Sequence, residues 1–510
     1  MATDWAVKNA VMVKNEKWVA KSQSLMPELI SKTESPEYIK IVQGTEIVPC
    51  DNLEAFSFKK GDRIIFDFGS NRVGYFSVRC FATGSPQDAP AFLRLRFCEV
   101  EKEIFSDTSA YDGWISSGWI QEEWIHLDKL PHKLEMHRRY AFRYACIDVL
   151  DTSQKFKIAF GEAERKTVSA VDEGCVAGID TDDAEITKID KAAIRTLANC
   201  MQKVFEDGPK RDRRLWLGDL WLQAKVNYET FRNYDLVKRC LYLFAGMPNQ
   251  DGQIAACVFT DDEPLMDDTF LLDYSLLFVP TLLDYFEATQ DIETLVELSD
   301  SALKQIEIAR KYLDDKWIIQ PEGEYHCFID WNDQLNKQCA MQGVMLYALK
   351  QAVKLCANIG KDTTEYLELY AKMKDAALNY LYDNKSGLFI SGDNKQISVA
   401  SQIWMILGDV VDISEALKIL KAVDFNEISM VTPFLHHVYL EALLFCGEKE
   451  QAMQHIKEYW GGMIRLGADT FWELFNPEDL EWSPYGSDII NSYCHAWSCT
   501  PAYIFRKYYK

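Results

Sequence analysis

Residues 207–219 read DGPKRDRRLWLGD and join two segments that have the periodicity of helices. Before this stretch, Ile189, Ala193, Leu197 and Met201 recur at the spacing of one helix face. The stretch itself holds three carboxylates, four basic side chains and a tryptophan. Charged and aromatic loops held between rigid helices often carry function. We therefore predict a functional loop between two helices of an α-helical domain.

The ends of this loop carry helix-terminating and helix-initiating residues. Gly208 and Pro209 can end the preceding helix, because glycine suits the left-handed cap and proline cannot continue a helix. Gly218 and Asp219 can open the next helix, with Asp219 as the N-cap. The plainer interpretation is a capped corner whose charges form surface ion pairs.

Helical periodicity continues from about residue 187 to the end of the chain. We predict helices near residues 188–206, 219–232, 235–245, 268–288, 291–314, 338–358, 363–383, 397–408, 413–423, 432–447, 449–463 and 487–508. Long connections follow alternate helices, at 246–267, 315–337 and 464–486. This alternation favours helical hairpins arranged in a ring, with the long connections forming a pocket at one end.

The first part of the chain has the two-residue alternation of β-strands. The segments RIIFDF (63–68) and VGYFSVR (73–79) flank GSN (69–71), which we predict to be a turn. Further alternation at 93–97, 122–127 and 140–149 predicts an antiparallel β-sandwich. We expect a β-sandwich domain at 1–160, an acidic linker at 161–186 and a helical domain at 187–510.

Composition excludes several kinds of partner. The 510-residue chain has a formal net charge of −23, so nucleic acid, anionic membranes and polyanionic glycans would be repelled. It has no apolar run of membrane-spanning length and no apparent leader, so we expect a cytoplasmic protein. A removed leader would make it periplasmic or secreted. The 14 cysteines lack paired spacing, which favours buried thiols in a reducing compartment. Composition predicts no oligomeric state.

Carboxylates recur beside tryptophans in the predicted loops. The clusters are TDDEPLMDD (260–268), HCFIDWND (326–333), GADTFWE (467–473) and SYCHAWS (492–498). Sugar cleavage needs two carboxyls for acid and base work and aromatic faces that stack on the ring. The chain has no HExxH, P-loop, GxGxxG or GxSxG motif, so we predict no metal and no cofactor.

These motifs together resemble the inverting α-L-rhamnosidases of glycoside hydrolase family seventy-eight. DGPKRDRRLWLGD resembles the family's acid-bearing loop, and GADTFWE followed by SYCHAWS resembles its second catalytic segment. FDFGSNRVGYFSVR (66–79) resembles the β-domain that precedes the family's (α/α)6 barrel. The resemblance covers the chain from about residue 60 onward. It implies a β-sandwich followed by an (α/α)6 barrel, and release of a terminal α-L-rhamnose or similar neutral sugar.

The resemblance also implies catalytic roles. Glu473 matches the family's general base, and Asp212 stands where the family has its general acid, which is usually a glutamate. Asp212 must be protonated to act as an acid, so we expect Arg211 and Arg213 to turn away or to neutralise other carboxylates.

Further residues of the same segments are implied in sugar binding. Asp207 and Asp219 match acids that hold hydroxyls, Asp330 and Trp331 resemble an Asp-Trp element of the pocket, and His495 matches a substrate-contacting histidine. We also predict sugar contacts from Arg211, Trp216 and Trp472.

Several alternatives remain open at this point. Asp212 could pair with Arg214 or Lys210 at the surface, the tryptophans could belong to the core, and His495 could be a hydrogen-bonded core residue. The chain could be a glycosidase specific for another sugar on the same barrel. It could also be a non-catalytic carbohydrate-binding relative, which the aspartate at 212 favours.

Overall fold

The computed structural model describes residues 6–7, 9–44, 46–50, 52–261, 263–424 and 428–509. Within them a short helix, α1 (Glu16–Ser24), precedes an antiparallel sheet domain, and a helical domain follows. Each domain has its own apolar core. The predicted order, an antiparallel β-domain followed by a helical barrel, is confirmed.

The described part of the sheet domain contains nine strands. They are β1 (Ile30–Glu34), β2 (Tyr38–Gln43), β3 (Glu46–Pro49), β4 (Arg63–Thr83), β5 (Ala91–Cys98), β6 (Glu122–Leu127), β7 (His132–Glu135), β8 (Tyr140–Asp151) and β9 (Lys157–Ser169). The strands follow the order β1, β9, β4, β8, β5 and β6, with β2 and β7 also paired to β4 and β3 paired to β2. The alternating segments predicted at 93–97, 122–127 and 140–149 lie within β5, β6 and β8.

Strand β4 bends and folds the sheet onto itself. Its first half pairs with β2 and β8, and its second half pairs with β7 and β9. The rings of Phe66 and Phe76, one from each half, lie 5.9 Å apart in the shared core. The prediction of a turn at 69–71 is therefore wrong. Asp67 and Arg72 both pair with β8 in one direction, so the residues between them form a bulge.

The segment between the domains is shorter than the predicted linker at 161–186. Strand β9 continues to Ser169, and the next helix, α2, begins at Ala184. The strand lacks clear apolar alternation because it carries Arg165, which is fully buried. Its guanidinium donates to Glu34 Oε2 and to the carbonyl oxygens of Ser70 and Phe142, so buried polar contacts replace apolar ones here.

Twelve helices follow the sheet domain in the described residues. They are α2 (Ala184–Cys200), α3 (Leu217–Glu229), α4 (Tyr234–Ala245), α5 (Leu272–Thr289), α6 (Ile292–Arg310), α7 (Gln338–Asn358), α8 (Thr364–Ala376), α9 (Val399–Leu407), α10 (Ile413–Ala422), α11 (Pro433–Phe445), α12 (Lys449–Arg465) and α13 (Pro501–Tyr508). In the described ranges no helix is long and apolar enough to cross a bilayer.

The helices form a double ring. Inner neighbours α3, α5, α7, α9 and α11 pack in that order, and the turn Ala496–Ser498 with α13 closes the ring onto α3. The even-numbered helices lie outside. The amino-acid pattern accounts for this division: every residue of α9 is buried, whereas α10 buries only Ala416, Ile419 and Leu420. An all-round apolar helix belongs inside, and an amphipathic one outside.

The last predicted helix, 487–508, is mostly wrong. Only its end is helical, as α13, which begins at Pro501. The preceding residues form two short turns, Asp488–Ile490 and Ala496–Ser498, inside an otherwise irregular segment. Apolar residues such as Tyr493 and Trp497 recur there because they are buried against other loops. Buried apolar residues of an irregular segment therefore happened to have the spacing of a helix.

The sheet domain packs against the end of the barrel that carries the long connections. Lys210 Nζ donates to Glu103 Oε1 at 2.5 Å, which ties the loop before α3 to the sheet domain. The Tyr493 main-chain nitrogen donates to Glu99 Oε2 at 2.7 Å, which ties the loop before α13 to the same region. The sheet domain thus holds two of the connections in place.

Candidate active site

The loop before α3 is closed by two hydrogen bonds between Asp207 and Arg214. Asp207 N donates to the Arg214 carbonyl, and Arg214 N donates to Asp207 Oδ1, both at 3.0 Å. The predicted caps are wrong, because α2 already ends at Cys200 and α3 begins at Leu217 with Trp216 as N-cap. Asp219 lies in the first turn of α3, so it is not the N-cap.

Two consecutive residues of this loop have left-handed backbone. Asp212 has φ 58° and Arg213 has φ 54°. Such conformations cost about 1–3 kcal/mol each in non-glycine residues and cluster at functional sites. Arg213 turns back, since its Nε donates to the Pro209 carbonyl at 2.8 Å. Asp212 instead faces a cavity at the loop end of the barrel.

Thirteen residues line this cavity: Asp207, Arg211, Asp212, Trp216, Asp219, Leu271, Tyr274, Phe328, Trp331, Glu473, Tyr485, His495 and Trp497. They come from the loop before α3, the first turns of α3 and α5, and the loops before α7 and α13. Eight of the ten predicted site residues therefore meet here. The other two, Asp330 and Trp472, lie outside the lining.

Glu473 is buried between a cation and a hydroxyl. Arg211 Nη2 donates to Glu473 Oε2, and the Tyr485 hydroxyl donates to Glu473 Oε1. Burial, above all, raises the pKa of Tyr485 well above its ordinary value, and Glu473 raises it further, so the hydroxyl remains a donor. The Glu473 main chain is also fixed, because its carbonyl accepts from Trp497 Nε1 at 2.9 Å.

Arg211 reaches both candidate catalytic carboxylates. While Nη2 pairs with Glu473, Nη1 lies 3.7 Å from Asp212 Oδ1. Its Nε donates to the Ile490 carbonyl at 3.3 Å, and the guanidinium carbon lies 4.1 Å from the centre of the Tyr485 ring. The expectation that both arginines turn away from Asp212 or neutralise other acids holds for Arg213 but is wrong for Arg211, which pairs with Glu473 and also lies within ion-pair distance of Asp212.

A histidine and two carboxyls form the floor of the cavity. His495 Nε2 lies 3.8 Å from Asp207 Oδ2, and Nδ1 lies 3.5 Å from Asp219 Oδ1. Burial raises the pKa of both carboxyls well above the ordinary value, with Asp212 adding to the effect at Asp207 and Glu473 at Asp219. Burial, helped by Arg211, lowers the pKa of His495 well below its ordinary value. The imidazole is therefore neutral at neutral pH.

Three polar atoms of this site are left available. Trp216 Nε1, Asp219 Oδ1 and His495 Nδ1 are buried and have no hydrogen-bond partner within the part of the chain that the structure describes. Buried polar groups without partners are costly, and such groups in native proteins often serve a ligand. Together these atoms offer donors and acceptors to a hydroxylated ligand.

Aromatic rings form one wall of the cavity. The Phe328 ring stacks on Trp497 and meets Trp331 edge-on, with both pairs of ring centroids 5.5 Å apart. Tyr274 extends the wall over α3, where Gly218 leaves room for it. A Cβ at Gly218 would lie 2.3 Å from Tyr274 Cζ, so the close approach requires glycine. Flat apolar faces of this kind suit the C–H faces of a sugar ring.

The two predicted residues outside the lining have other contacts. Asp330 accepts hydrogen bonds from the main-chain nitrogens of Val431 and Thr432 at 2.8 and 3.0 Å, so it holds the start of α11. Burial raises the pKa of Asp330 to about 6, although the hydrogen bonds that it accepts lower the pKa. The Trp472 ring packs edge-on against Tyr493 at 5.2 Å. Asp330 thereby anchors the loop that presents the adjacent Trp331.

Residues missed by the sequence prediction are mainly aromatic. Tyr274, Phe328, Tyr485 and Trp497 all line the cavity and were not among the predicted site residues. Phe328 and Trp497 lie inside the sequence clusters named above, and Tyr485 lies in the long connection predicted at 464–486. Their position near those clusters, which were expected to meet at one end of the ring, could have identified them. Across the described ranges, no group of three or more His, Cys, Asp or Glu side chains is placed to hold a metal.

Both domains match families of known proteins. Residues 27–167 match the glycosyl hydrolase family 78 alpha-rhamnosidase N-terminal domain. Residues 175–508 match the bacterial alpha-L-rhamnosidase 6 hairpin glycosidase domain. A comparison with curated proteins found no match.

Solved structures agree with this assignment. A rhamnosidase from Klebsiella oxytoca with rhamnose bound is 41% identical, with a TM-score of 0.93 over 98% of this chain and 100% of that chain. The family 78 rhamnosidase of Bacillus sp. GL1 is 18% identical, with a TM-score of 0.72 over 88% and 46% of the two chains. The α-L-rhamnosidase of Streptomyces avermitilis complexed with L-rhamnose is 15% identical, with a TM-score of 0.62 over 94% and 44%. The last two likenesses show the fold alone.

The barrel and its carboxylate-lined cavity define a glycosidase of the six-hairpin class. The chain belongs to glycosyl hydrolase family 78, the α-L-rhamnosidases. The resemblance seen in the loop motifs is confirmed.

Proposed function

We propose that this chain hydrolyses terminal α-L-rhamnosides with inversion, using Asp212 as general acid and Glu473 as general base. The observation that carries the proposal is the convergence of these two carboxyls on one cavity, with Arg211 contacting both. Asp212 would give its proton to the glycosidic oxygen as the bond to the sugar carbon breaks. Glu473 would take a proton from the water that attacks the opposite face.

Side-chain exposure supports this division of roles. The Asp212 side chain is 23% exposed, whereas that of Glu473 is 3% exposed. A leaving group extends toward solvent, so the acid that protonates it should lie at the mouth of the cavity. The base should lie at the inner side, where a single water can be held between the carboxylate and the sugar. The ion pair with Arg211 offsets the negative charge of Glu473 in its buried position.

The lining favours a neutral sugar such as rhamnose. Asp207, Asp219 and His495 can exchange hydrogen bonds with the hydroxyl groups of a neutral sugar. The net charge of −23 disfavours a uronate or sulfate. The aromatic wall with Phe328 and Trp331 suits a ring with an apolar methyl group in place of a hydroxymethyl group. The 41% identical Klebsiella oxytoca structure with rhamnose bound supports the same substrate.

The competing hypothesis is a carbohydrate-binding relative that has lost catalysis. Its motivation is the aspartate at position 212, which is one methylene shorter than the glutamate usual in the family. Against this hypothesis, Asp212 lines the cavity, and its left-handed backbone is of a kind that clusters at functional sites.

Hydrolysis of a panel of nitrophenyl glycosides tests the proposal. We expect the α-L-rhamnoside to be cleaved with the highest kcat/KM and the glucuronide to be a very poor substrate. Glu473→Gln should lower kcat/KM for the rhamnoside by about 100-fold or more, because every substrate needs the activated water. Binding of rhamnose by calorimetry without cleavage of any rhamnoside would favour the non-catalytic alternative.

We also propose that the sheet domain and the barrel are separate folding units joined by residues 170–183. Two separate apolar cores support this division. Limited proteolysis should cut first between them, at or near this segment. Early cuts inside β8 or α5 would contradict it.

We further propose that the protein works in a reducing compartment such as the cytoplasm. Of the 14 cysteines, 13 are buried, and those other than Cys50 are free thiols. Thiols persist where the environment keeps them reduced. Fractionation of the source cells with an antibody to the protein would test this, and recovery outside the cytoplasm would contradict it.

A further inference from the structure

A loop of the sheet domain lies at the edge of the active site. It joins β5 to β6, and Trp114 near its middle docks onto the loop before α13. The Trp114 main-chain nitrogen donates to the Tyr485 carbonyl at 3.1 Å, and Nε1 donates to the Pro484 carbonyl at 2.9 Å. The preceding Gly113 has no room for a Cβ, which would lie 2.7 Å from the Tyr485 carbonyl oxygen. The position of Trp114 is therefore tightly set.

Trp114 nevertheless keeps a large part of its indole in solvent. The residue is 44% exposed, and its ring centroid lies 5.7 Å from that of Tyr485. Tyr485 in turn lines the cavity and donates to Glu473. One hydrogen bond from the indole and one from the main chain hold Trp114 beside Tyr485, so its exposed ring offers a rigid flat face near the cavity. Aromatic faces held in this way commonly stack on ligand rings.

The same loop also contacts the segment that carries the proposed acid. The Arg213 guanidinium carbon lies 5.9 Å from the centre of the Trp119 ring. Asp212 stands between Arg213 and Arg211, and Arg211 lies over Tyr485. The β5–β6 loop therefore contacts two neighbours of the proposed acid and base, with Trp119 near Arg213 and Trp114 near Tyr485.

We propose that Trp114 forms a leaving-group subsite that stacks on the first ring of the aglycone. The inference rests on the proposed function of the cavity as a rhamnoside hydrolase. It predicts a substrate class, namely rhamnosides whose leaving group carries a ring next to the glycosidic bond. The sheet domain then takes part in substrate selection, because it supplies a surface that the barrel lacks.

The test compares substrates with and without such a ring. Trp114→Ala should lower kcat/KM for p-nitrophenyl α-L-rhamnoside by roughly 3- to 10-fold, the range expected for one aromatic stacking contact, mainly through KM. The same variant should leave kcat/KM for methyl α-L-rhamnoside unchanged. A rhamnosyl-glucose disaccharide is the third substrate. Loss with the disaccharide assigns the subsite to sugar rings, and loss with the aryl substrate alone assigns it to aromatic rings.

Further variants separate stacking from structural damage. Trp114→Leu keeps apolar volume beside Tyr485 without an aromatic face and should show the same selective loss, while Trp114→Phe should restore most of the activity. The control Trp124→Ala removes a tryptophan on β6 that is 56% exposed. It should leave kcat/KM unchanged for all three substrates. Equal losses with methyl and aryl rhamnosides, or no loss with either, overturn the subsite while leaving the hydrolase intact. A wild-type protein inactive on all three substrates overturns the proposed function and the subsite together.

Discussion

Arg211 and Glu473 form a buried ion pair, and the second terminal nitrogen of Arg211 lies 3.7 Å from the Asp212 carboxylate. The proposed acid and base are therefore linked by one cation. The guanidinium stabilises the negative charge of Glu473, and its second contact opposes the protonation that Asp212 needs to act as the acid. Adjacent residues of one loop therefore have different proposed roles. Asp212 acts on the leaving group, and Arg211 stabilises the base.

Replacing Arg211 should destabilise the protein as well as inactivate it. In Arg211→Met, the Glu473 carboxylate would remain buried without its cation, which typically costs about 3–5 kcal/mol. Urea denaturation should show a loss of that size in the free energy of unfolding. The matched control is Arg213→Met, because Arg213 donates to the main-chain carbonyls of Pro209 and Lys210. That control should lose roughly 1 kcal/mol per hydrogen bond. Equal losses in the two variants would contradict the special role of the ion pair.

Replacing Asp212 should affect substrates according to their leaving groups. Asp212→Asn cannot donate a catalytic proton, so poor leaving groups such as alkyl alcohols should lose about 100- to 10,000-fold in kcat/KM. An activated nitrophenyl rhamnoside needs little protonation and should lose far less. Asp267→Asn is the control, since Asp267 lies 3.8 Å from Arg214 of the same loop and outside the cavity lining. Equal losses with both substrates would remove Asp212 from the acid role.

Asp207 and Asp219 should act in binding rather than in capping. Asp207→Asn keeps an oxygen that can accept from Arg214 N, and neither change alters side-chain volume much. Leaving a buried hydrogen-bonding group without its partner costs about 1–3 kcal/mol, so kcat/KM should fall roughly 5- to 150-fold in each variant. Melting temperatures should stay close to that of the wild type. Unchanged kinetics in both variants would leave these residues with a structural role alone.

Glu99 should make the stability of the protein depend on pH. Burial raises the pKa of Glu99 to about 8, from an ordinary value of 4.5. The folded protein therefore keeps a proton that the unfolded chain releases as pH rises above 4.5. This contribution to stability is present below that pH and is lost as pH rises through about 8.

Thermal unfolding across this pH range tests the role of Glu99. Glu99→Gln keeps an oxygen that can accept from the Tyr493 main-chain nitrogen but cannot ionise. Its melting temperature should fall less than that of the wild type between weakly acidic and alkaline pH. Glu162→Gln, at an exposed position on β9, serves as the control and should behave like the wild type. Parallel curves for the wild type and Glu99→Gln would contradict the prediction.

Much of the barrel and its site could be predicted because both follow from local patterns. Helical periodicity located most of the helices to within a few residues. Hairpins arranged in a ring return alternate connections to one end, so charged loops distant in sequence were expected to meet. Asp207, Asp212, Glu473 and His495 do line one cavity, although 266 residues separate Asp207 from Glu473 in the numbering.

The remaining features depend on contacts that local sequence does not encode. The bulge in β4 follows from β8 continuing along both of its halves, which no pattern at 69–71 reveals. Asp330 was assigned to the pocket from its neighbour Trp331, yet its oxygens bind main-chain nitrogens at Val431 and Thr432. The false helix before α13 arose because irregular chain can be as deeply buried as a helix. In each case a distant partner determined the local structure.

The central claim is the inverting use of Asp212 and Glu473 on an α-L-rhamnoside. Proton NMR of a freshly started reaction with p-nitrophenyl α-L-rhamnoside tests it most directly, because the anomeric signal of the first-formed sugar precedes mutarotation. The account predicts that β-L-rhamnose appears first and that the α-anomer follows as the sugar equilibrates. Initial release of α-L-rhamnose would show retention through a covalent intermediate and would contradict the assignment of Glu473 as a base that activates water.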